Sequence, residues 1–256
     1  MRWVRYQLKN EAARFGWLLE DRVGPVEGSP LGSYRRLPAD IPLESVRLLA
    51  PVVPGKIIGV GRNYAEHAKE HQAAVPEVPL LFLKPTSTVI GAGEAIVIPP
   101  QSRQVEHEAE LGVVIGRGGR WIQPQDAFDH VLGYTVGNDV TARDLQQRDG
   151  QWTRAKAFDT FCPLGPWIET ELDTTDVLIT CRVNGEMRQM ASTREMVFSV
   201  PQLITFVSSI MTLHPGDVIL TGTPAGVGAL MDGDVVEIDI EGIGTLRNPV
   251  KDDARR

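Results

Sequence analysis

Two cysteines, Cys162 and Cys181, are too few and too far apart for a disulfide framework, and no Cys-x-x-Cys spacing offers a metal or redox pair. Two buried thiols in a reducing compartment is the simplest reading. No apolar stretch approaches the length of a bilayer-spanning helix, and Met1-Arg2-Trp3-Val4-Arg5-Tyr6 lacks the apolar segment of a signal peptide. These absences lead us to expect a cytoplasmic protein with no membrane partner. There is no Lys/Arg-rich run, and the formal net charge is −7. General nucleic-acid binding is therefore not expected. An anionic substrate would have to be drawn in by a few local cations and a bound metal. Internal repeats and low-complexity segments are also missing.

What remains is an ordinary globular composition, 42% hydrophobic and 23% charged over 256 residues, enough for a substantial core. The first fifty residues read as a separate unit. Trp3–Leu8 and Arg14–Leu19 are strand-like, and a Gly/Pro/Ser-rich stretch follows from Gly24 to Gly32. A connection punctuated by Pro38, Pro42, Pro51 and Pro54 completes the unit. The expected organisation is a small N-terminal β appendage with linker over residues 1–50 and a catalytic domain over 51–256. In that domain Lys56–Gly61, Ala95–Ile98, Leu111–Ile115, Asp176–Val183, Asp217–Leu220 and Val235–Ile240 are short β-branched runs bounded by turn residues. Asn184-Gly185 signals a type I′ hairpin, and His214-Pro215-Gly216-Asp217 a turn. So many short strands favour a β-rich α+β roll over a doubly wound sheet.

Two helices are expected. Ser199-Val200-Pro201-Gln202 has the capping-box pattern, and Leu203, Phe206, Val207 and Ile210 follow at core-facing spacing. The other, from Asn63 through His71, has little apolar surface beyond Tyr64 and two alanines. Such a helix is marginal alone, so we expect a lid that orders when substrate binds.

Three carboxylates carry the strongest chemical signal. Glu108-Ala109-Glu110 opens the run Leu111–Ile115, and residues two apart on a strand share a face. Asp139 closes another apolar stretch, Val131–Asn138. An all-oxygen set suits a hard cation such as Mg²⁺, Mn²⁺ or Ca²⁺ rather than zinc. Strand-end acids are equally common as solvated edge residues, and spacing alone leaves both readings open. His67 and Glu70 lie one helical turn apart, so the carboxylate can orient the imidazole, though a solvated helical face has the same spacing. Taken by itself, Lys156 reads as a surface lysine of an amphipathic segment. The glycine-rich loop Thr221–Gly228 reads as a plain turn or as backbone N–H groups for a carboxylate. Gly59-Val60-Gly61 lacks the third glycine of a dinucleotide fingerprint. His107-Glu108 lacks the second zincin histidine, and Thr221–Gly228 lacks a P-loop ending. No nucleotide cofactor is indicated.

Together, Gly61–His67, Glu108-x-Glu110, Asn138–Asp144, Lys156 and Gly222-Thr223-Pro224-x-Gly226-Val227-Gly228 resemble the fumarylacetoacetate hydrolase family in order and spacing, over about residues 50 to 250. The resemblance implies a mixed β-roll, usually a homodimer, with Mg²⁺ or Mn²⁺ held by Glu108, Glu110 and Asp139. It implies lid residues His67 and Glu70 that move a proton, Lys156 beside the reacting oxygen, and Arg143, Gln146 and Thr223 on the substrate. The first fifty residues look like the short N-terminal segment of the smaller members, which weakens fumarylacetoacetate itself as substrate. The implied substrates are 2-oxo acids, their enols or β-diketo acids. A 2-hydroxyhepta-2,4-diene-1,7-dioate isomerase leads. An acylpyruvate C–C hydrolase or oxaloacetate decarboxylase with the same site follows, and a non-catalytic metabolite-binding protein is the reading from another class.

Overall fold

The computed structural model describes residues 1–9 and 11–254. Its main sheet has thirteen strands and centres on Ala109–Ile115, whose residues are all buried. This strand pairs antiparallel with Val131–Asn138 on one side and Val218–Leu220 on the other. Ile57–Gly61 runs parallel to Val218–Leu220, and Leu80–Lys84 forms that edge. A strand covered on both faces needs apolar residues throughout, which is why Leu111–Ile115 shows no polar alternation.

A sheet of five strands includes Leu178–Val183 and Val235–Ile240. Its Ile179, Ile238 and Ile240 share one buried cluster with Leu111, Val113 and Val136 of the main sheet. Each such side chain contributes about 1.5–3 kcal/mol by leaving water. A small sheet joins Val105–His107 to Thr141–Ala142 and Gly228–Ala229. The chain thus adopts the β-rich, mixed architecture expected from its sequence, and the named strands lie within two residues of their expected bounds.

Strand Arg2–Gln7 pairs with Cys162–Glu169 through Arg2↔Glu169 and Trp3↔Ile168, so the N-terminal strands extend the main sheet. Part of the Gly/Pro/Ser-rich stretch, expected as a turn-rich link, is strand: Arg22–Gly28 pairs with Arg14–Leu19. Composition misleads there because Gly24 serves packing. A Cβ on it would stand 2.2 Å from the Trp17 indole nitrogen, which donates to the Leu37 carbonyl at 2.9 Å.

Among the described residues, four short α-helices flank the sheets: α1 (Ala65–Glu70), α2 (Arg143–Asp149), α3 (Thr153–Lys156) and α4 (Val200–Ile210). At the start of α4, Gln202 Oε1 accepts from the Ser199 backbone N–H at 2.8 Å, as the capping box requires. Leu203, Ile204 and Val207 are buried, but Ile210 is 50% exposed and Phe206 half-buried, so the core-facing stripe is narrower than its spacing suggests. Helices α2 and α3 were not expected. Arg143–Asp149 has one apolar residue, Leu145, and its other inward group is the Arg143 guanidinium. Asn184 and Gly185 both have positive φ, 52° and 82°, giving the type I′ hairpin between Val183 and Glu186. The turn before Val218 closes through an Asp217 N–H to His214 carbonyl bond of 3.0 Å.

Candidate active site

Glu108 and Glu110 project to one face because they are two apart, and Ala109 pairs with Asn138. That register sets Asp139 beside Glu108, where its backbone N–H donates to the Glu108 carbonyl at 2.9 Å. The three side chains are buried, with carboxylate oxygens within 4.8 Å of one another. Glu106, on Val105–His107, is buried nearby.

Cations reach three of these four acids. The Lys156 ammonium donates to Glu108 Oε2 at 2.8 Å and Asp139 Oδ2 at 2.5 Å. Lys84, completely buried at the edge strand, donates to Asp139 Oδ1 at 2.6 Å. Arg143 donates to Glu106 at 2.7 Å and Glu108 at 2.5 Å. Among the described residues, Glu110 receives a hydrogen bond only from the Gly222 backbone N–H, at 2.8 Å. The electrostatics follow. Burial would raise Glu108, but Lys156 and Arg143 more than offset it and hold the carboxyl well below its ordinary range. Burial, then Asp139 and Glu108, push Glu110 well above its own. Burial opposes the charge on Lys156, yet Asp139 and Glu108 raise its proton affinity. A buried acid with no hydrogen-bonded cation among the described residues, clustered with two others into an oxygen-only donor set, is a fit for a hard divalent ion.

Helix α1, expected as a lid, brings His67 to the cavity that this cluster lines. Tyr64 and Ala68 are buried, and the His67 imidazole is almost so. Its Nδ1 faces Glu70 Oε2 at 3.3 Å, and the His71 ring lies 4.7 Å away, edge-on. Since a carboxylate only accepts, Nδ1 carries the proton and Nε2 keeps its lone pair. Burial lowers the His67 proton affinity, and Glu108 and Glu70 only partly restore it, so the ring is neutral at pH 7. Glu70 itself is anchored by the Gly226 N–H at 3.1 Å. Two amides of the loop expected to offer N–H groups to a carboxylate, those of Gly222 and Gly226, thus hold the protein's own Glu110 and Glu70.

The polar wall is instead made of side-chain donors whose direction is fixed from behind. Gln189 Oε1 accepts from the Ala109 N–H at 3.1 Å, so its Nε2 must be the group facing the Pro224 carbonyl and Thr223 Oγ1, each at 2.8 Å. Thr223 therefore accepts from Gln189 and has its own proton left to donate. Likewise Gln146 Oε1 accepts from Arg143 at 2.5 Å, leaving its NH₂ group outward. These donors, His67 and the carboxylate trio line a cavity of about 320 Å³, within the ordinary range for small-molecule sites. All nine site residues expected from the sequence converge here: eight line the cavity, and Glu70 stands behind His67.

The chain matches the fumarylacetoacetate hydrolase C-terminal domain over residues 56–251, and an Rv2993c-like N-terminal domain over residues 1–51. It belongs to the fumarylacetoacetate hydrolase family. Its fold superimposes on a 5-carboxymethyl-2-hydroxymuconate delta-isomerase of Mycobacterium smegmatis with a TM-score of 0.93 and 45% identity, covering 99% of this chain and 100% of that one. A 2-hydroxyhepta-2,4-diene-1,7-dioate isomerase of Mycobacterium marinum gives 0.92 and 42%, covering 99% of each chain. The mitochondrial oxaloacetate tautomerase FAHD2B of Bos taurus is 47% identical over 82% of this chain and 71% of that protein. The chain is thus an enzyme of the fumarylacetoacetate hydrolase family, with a candidate acidic metal site, and none of its described helices is long and apolar enough to cross a membrane.

In this family member Lys84, Glu106, His71 and Gln189 escaped sequence reasoning. Lys84 could have been sought, because an acid cluster of this size demands buried countercharge; its partner Asp139 lies 55 residues away, however, and only the fold joins them. Gly222 is fixed by two constraints. Its φ is +98°, and a Cβ would meet the Asn63 Cβ at 2.7 Å. Gly222→Ala is expected to cost about 1–3 kcal/mol, lowering the melting temperature by roughly 2–12 °C for a chain of this size. An unchanged melting curve would show that the loop adjusts without strain.

Proposed function

We propose that this enzyme isomerises an unsaturated 2-hydroxy/2-oxo dicarboxylate through an enolate, with 2-hydroxyhepta-2,4-diene-1,7-dioate as the leading substrate. The observation that carries this reading is a neutral, Glu70-oriented imidazole facing a buried acid trio in which, among the described residues, no cation hydrogen-bonds Glu110. Glu108, Glu110 and Asp139 would hold Mg²⁺ or Mn²⁺, which supplies a Lewis acid for the 2-oxo oxygen and the adjoining carboxylate. His67 Nε2 takes the 2-hydroxyl proton of the dienol and returns it to C5 of the resulting dienolate, which gives the 2-oxo-3-ene isomer. Lys156, with one N–H beyond those given to Glu108 and Asp139, adds positive charge where the oxygen becomes anionic. Spare N–H groups of Arg143, the Gln146 amide and the Thr223 hydroxyl receive the substrate carboxylate. The named isomerases among the structural neighbours support this reading, and the tautomerase relative supports enol chemistry more broadly.

A homodimer is proposed on the same family footing. Edge strand Leu80–Lys84, with Leu83 exposed near Ile210, is the surface that supports it. The lid's ordering on substrate remains part of the proposal.

The test is product analysis. The purified protein with Mg²⁺ or Mn²⁺ is given the dienedioate, oxaloacetate and an acylpyruvate, before and after exhaustive chelation. Isomerised dienedioate with no carbon fragment lost, and no turnover after chelation, is expected. C–C cleavage of the acylpyruvate or decarboxylation of oxaloacetate as the dominant reaction would favour hydrolase or decarboxylase chemistry at this site. Turnover that survives chelation would remove the Lewis-acid reading.

A further inference from the structure

Every cation deep in the cavity is already committed: Lys156 to Glu108 and Asp139, Arg143 to Glu106 and Glu108. Arg62 is different. It lines the same cavity, half-buried, and no carboxylate pairs with it among the described residues. Its guanidinium carbon lies 6.0 Å from the centroid of the Trp152 ring, at the outer limit of a cation–π contact, so the aromatic face does not satisfy its N–H groups.

Its backbone is held as well. Arg62 has φ of +58°, the left-handed region that glycine enters more cheaply. On one side lies strand Ile57–Gly61. On the other is Asn63, whose side chain donates to the Phe198 and Thr221 carbonyls and accepts from the Phe198 N–H. A strained position clamped from both sides and bearing a long cationic side chain, in a chain of net charge −7, points to a use for the cation.

Location gives the use. Arg62, Phe82, Gly150 and Trp152 line both the 320 Å³ cavity and an adjoining cleft of about 1010 Å³. Arg62 therefore stands where a substrate anchored at Glu108, Glu110 and Asp139 would extend outward. We infer that Arg62 receives the distal carboxylate of a dicarboxylic substrate, and so selects 2-oxo diacids over 2-oxo monoacids that end in methyl. The inference rests on the proposed reading of the site and deepens it. Of the reactions that share an enolate, it favours those on diacids, the dienedioate and oxaloacetate, over cleavage of a monoacid acylpyruvate.

The experiment measures binding, so it does not depend on which reaction follows. Full-length protein with Mg²⁺ is titrated calorimetrically with oxalate, with 2-oxo diacids of four to seven carbons, and with monoacids of the same lengths. Wild type is expected to prefer one diacid over its matched monoacid by at least about tenfold, as a charge-assisted bond implies. Arg62→Met should abolish that preference while changing oxalate affinity by less than about threefold, a change under 1 kcal/mol. Arg62→Lys, which keeps the charge but not the fork, should restore part of it. Retained oxalate binding also shows that the variant is folded. No diacid preference in wild type, or equal loss of oxalate and diacid in Arg62→Met, overturns the inference and leaves the site reading standing. Wild type that binds neither oxalate nor any diacid overturns both.

Discussion

Glu110→Gln is expected to stabilise the metal-free protein while removing its response to Mg²⁺ and nearly all of its activity. Burial and the neighbouring Asp139 and Glu108 raise the proton affinity of Glu110, and Lys156 and the Gly222 N–H only partly offset them. A carboxyl whose folded pKa is raised contributes most below its unfolded value, and that stability is lost as pH rises toward the folded value. Above the unfolded pKa, each tenfold difference in proton affinity costs the folded state about 1.4 kcal/mol. Glutamine has the same shape, has no charge to suppress, and can still accept the Gly222 N–H. At pH 8 without metal the variant should therefore melt higher than wild type. With Mg²⁺ at a hundred times its Kd, wild type should gain about 2.7 kcal/mol, or roughly 5–10 °C, and the variant almost nothing. Turnover should fall by at least about a thousandfold, because Lewis-acid stabilisation is worth several kcal/mol. The order of the two melting temperatures thus reverses on adding Mg²⁺. An identical Mg²⁺ shift in both proteins would mean that Glu110 is no ligand.

Much of this site was legible because its signals are local. The shared face of Glu108 and Glu110 follows from strand periodicity, and the Asn184-Gly185 hairpin and the Ser199 cap from rules spanning four residues. Pairings that only the fold brings about were not legible. Gln189 ties the Ala109 backbone to Thr223 and Pro224 across 80, 34 and 35 residues, and nothing around it marks a buried hub. Arg143 shows the same limit: in a sequence window it opens a polar stretch, and only burial against Glu106 and Glu108 makes it structural. Helix α2 went unseen for the same reason, since its inward face is a charge network rather than an apolar stripe. Composition failed at Gly24, where a glycine taken as a loop signal makes room for an indole.

His67→Ala should lower turnover by about 10²–10⁴, the usual worth of a positioned proton-transfer group. Oxalate affinity should stay within about threefold, because the carboxylate trio and its cations are untouched. The pH profile separates a proton carrier from a residue that merely shapes the cavity. Burial lowers the His67 proton affinity more than Glu108 and Glu70 raise it, and the neutral ring is the active form. Protonation as pH falls through that lowered value switches the base off. The acid limb of wild-type turnover should accordingly lie below pH 6.5, the ordinary histidine value, and disappear in His67→Ala. Glu70→Gln should move the limb further toward acid, since Glu70 favours the protonated ring and that help is lost. If His67→Ala kept its rate within a few-fold, the proton carrier would be sought in His71. That ring also lines the cavity and is lowered by burial, but no carboxylate bond fixes its tautomer. His71→Ala in the same assays distinguishes the two imidazoles, because only loss of the ring that carries the proton removes the acid limb.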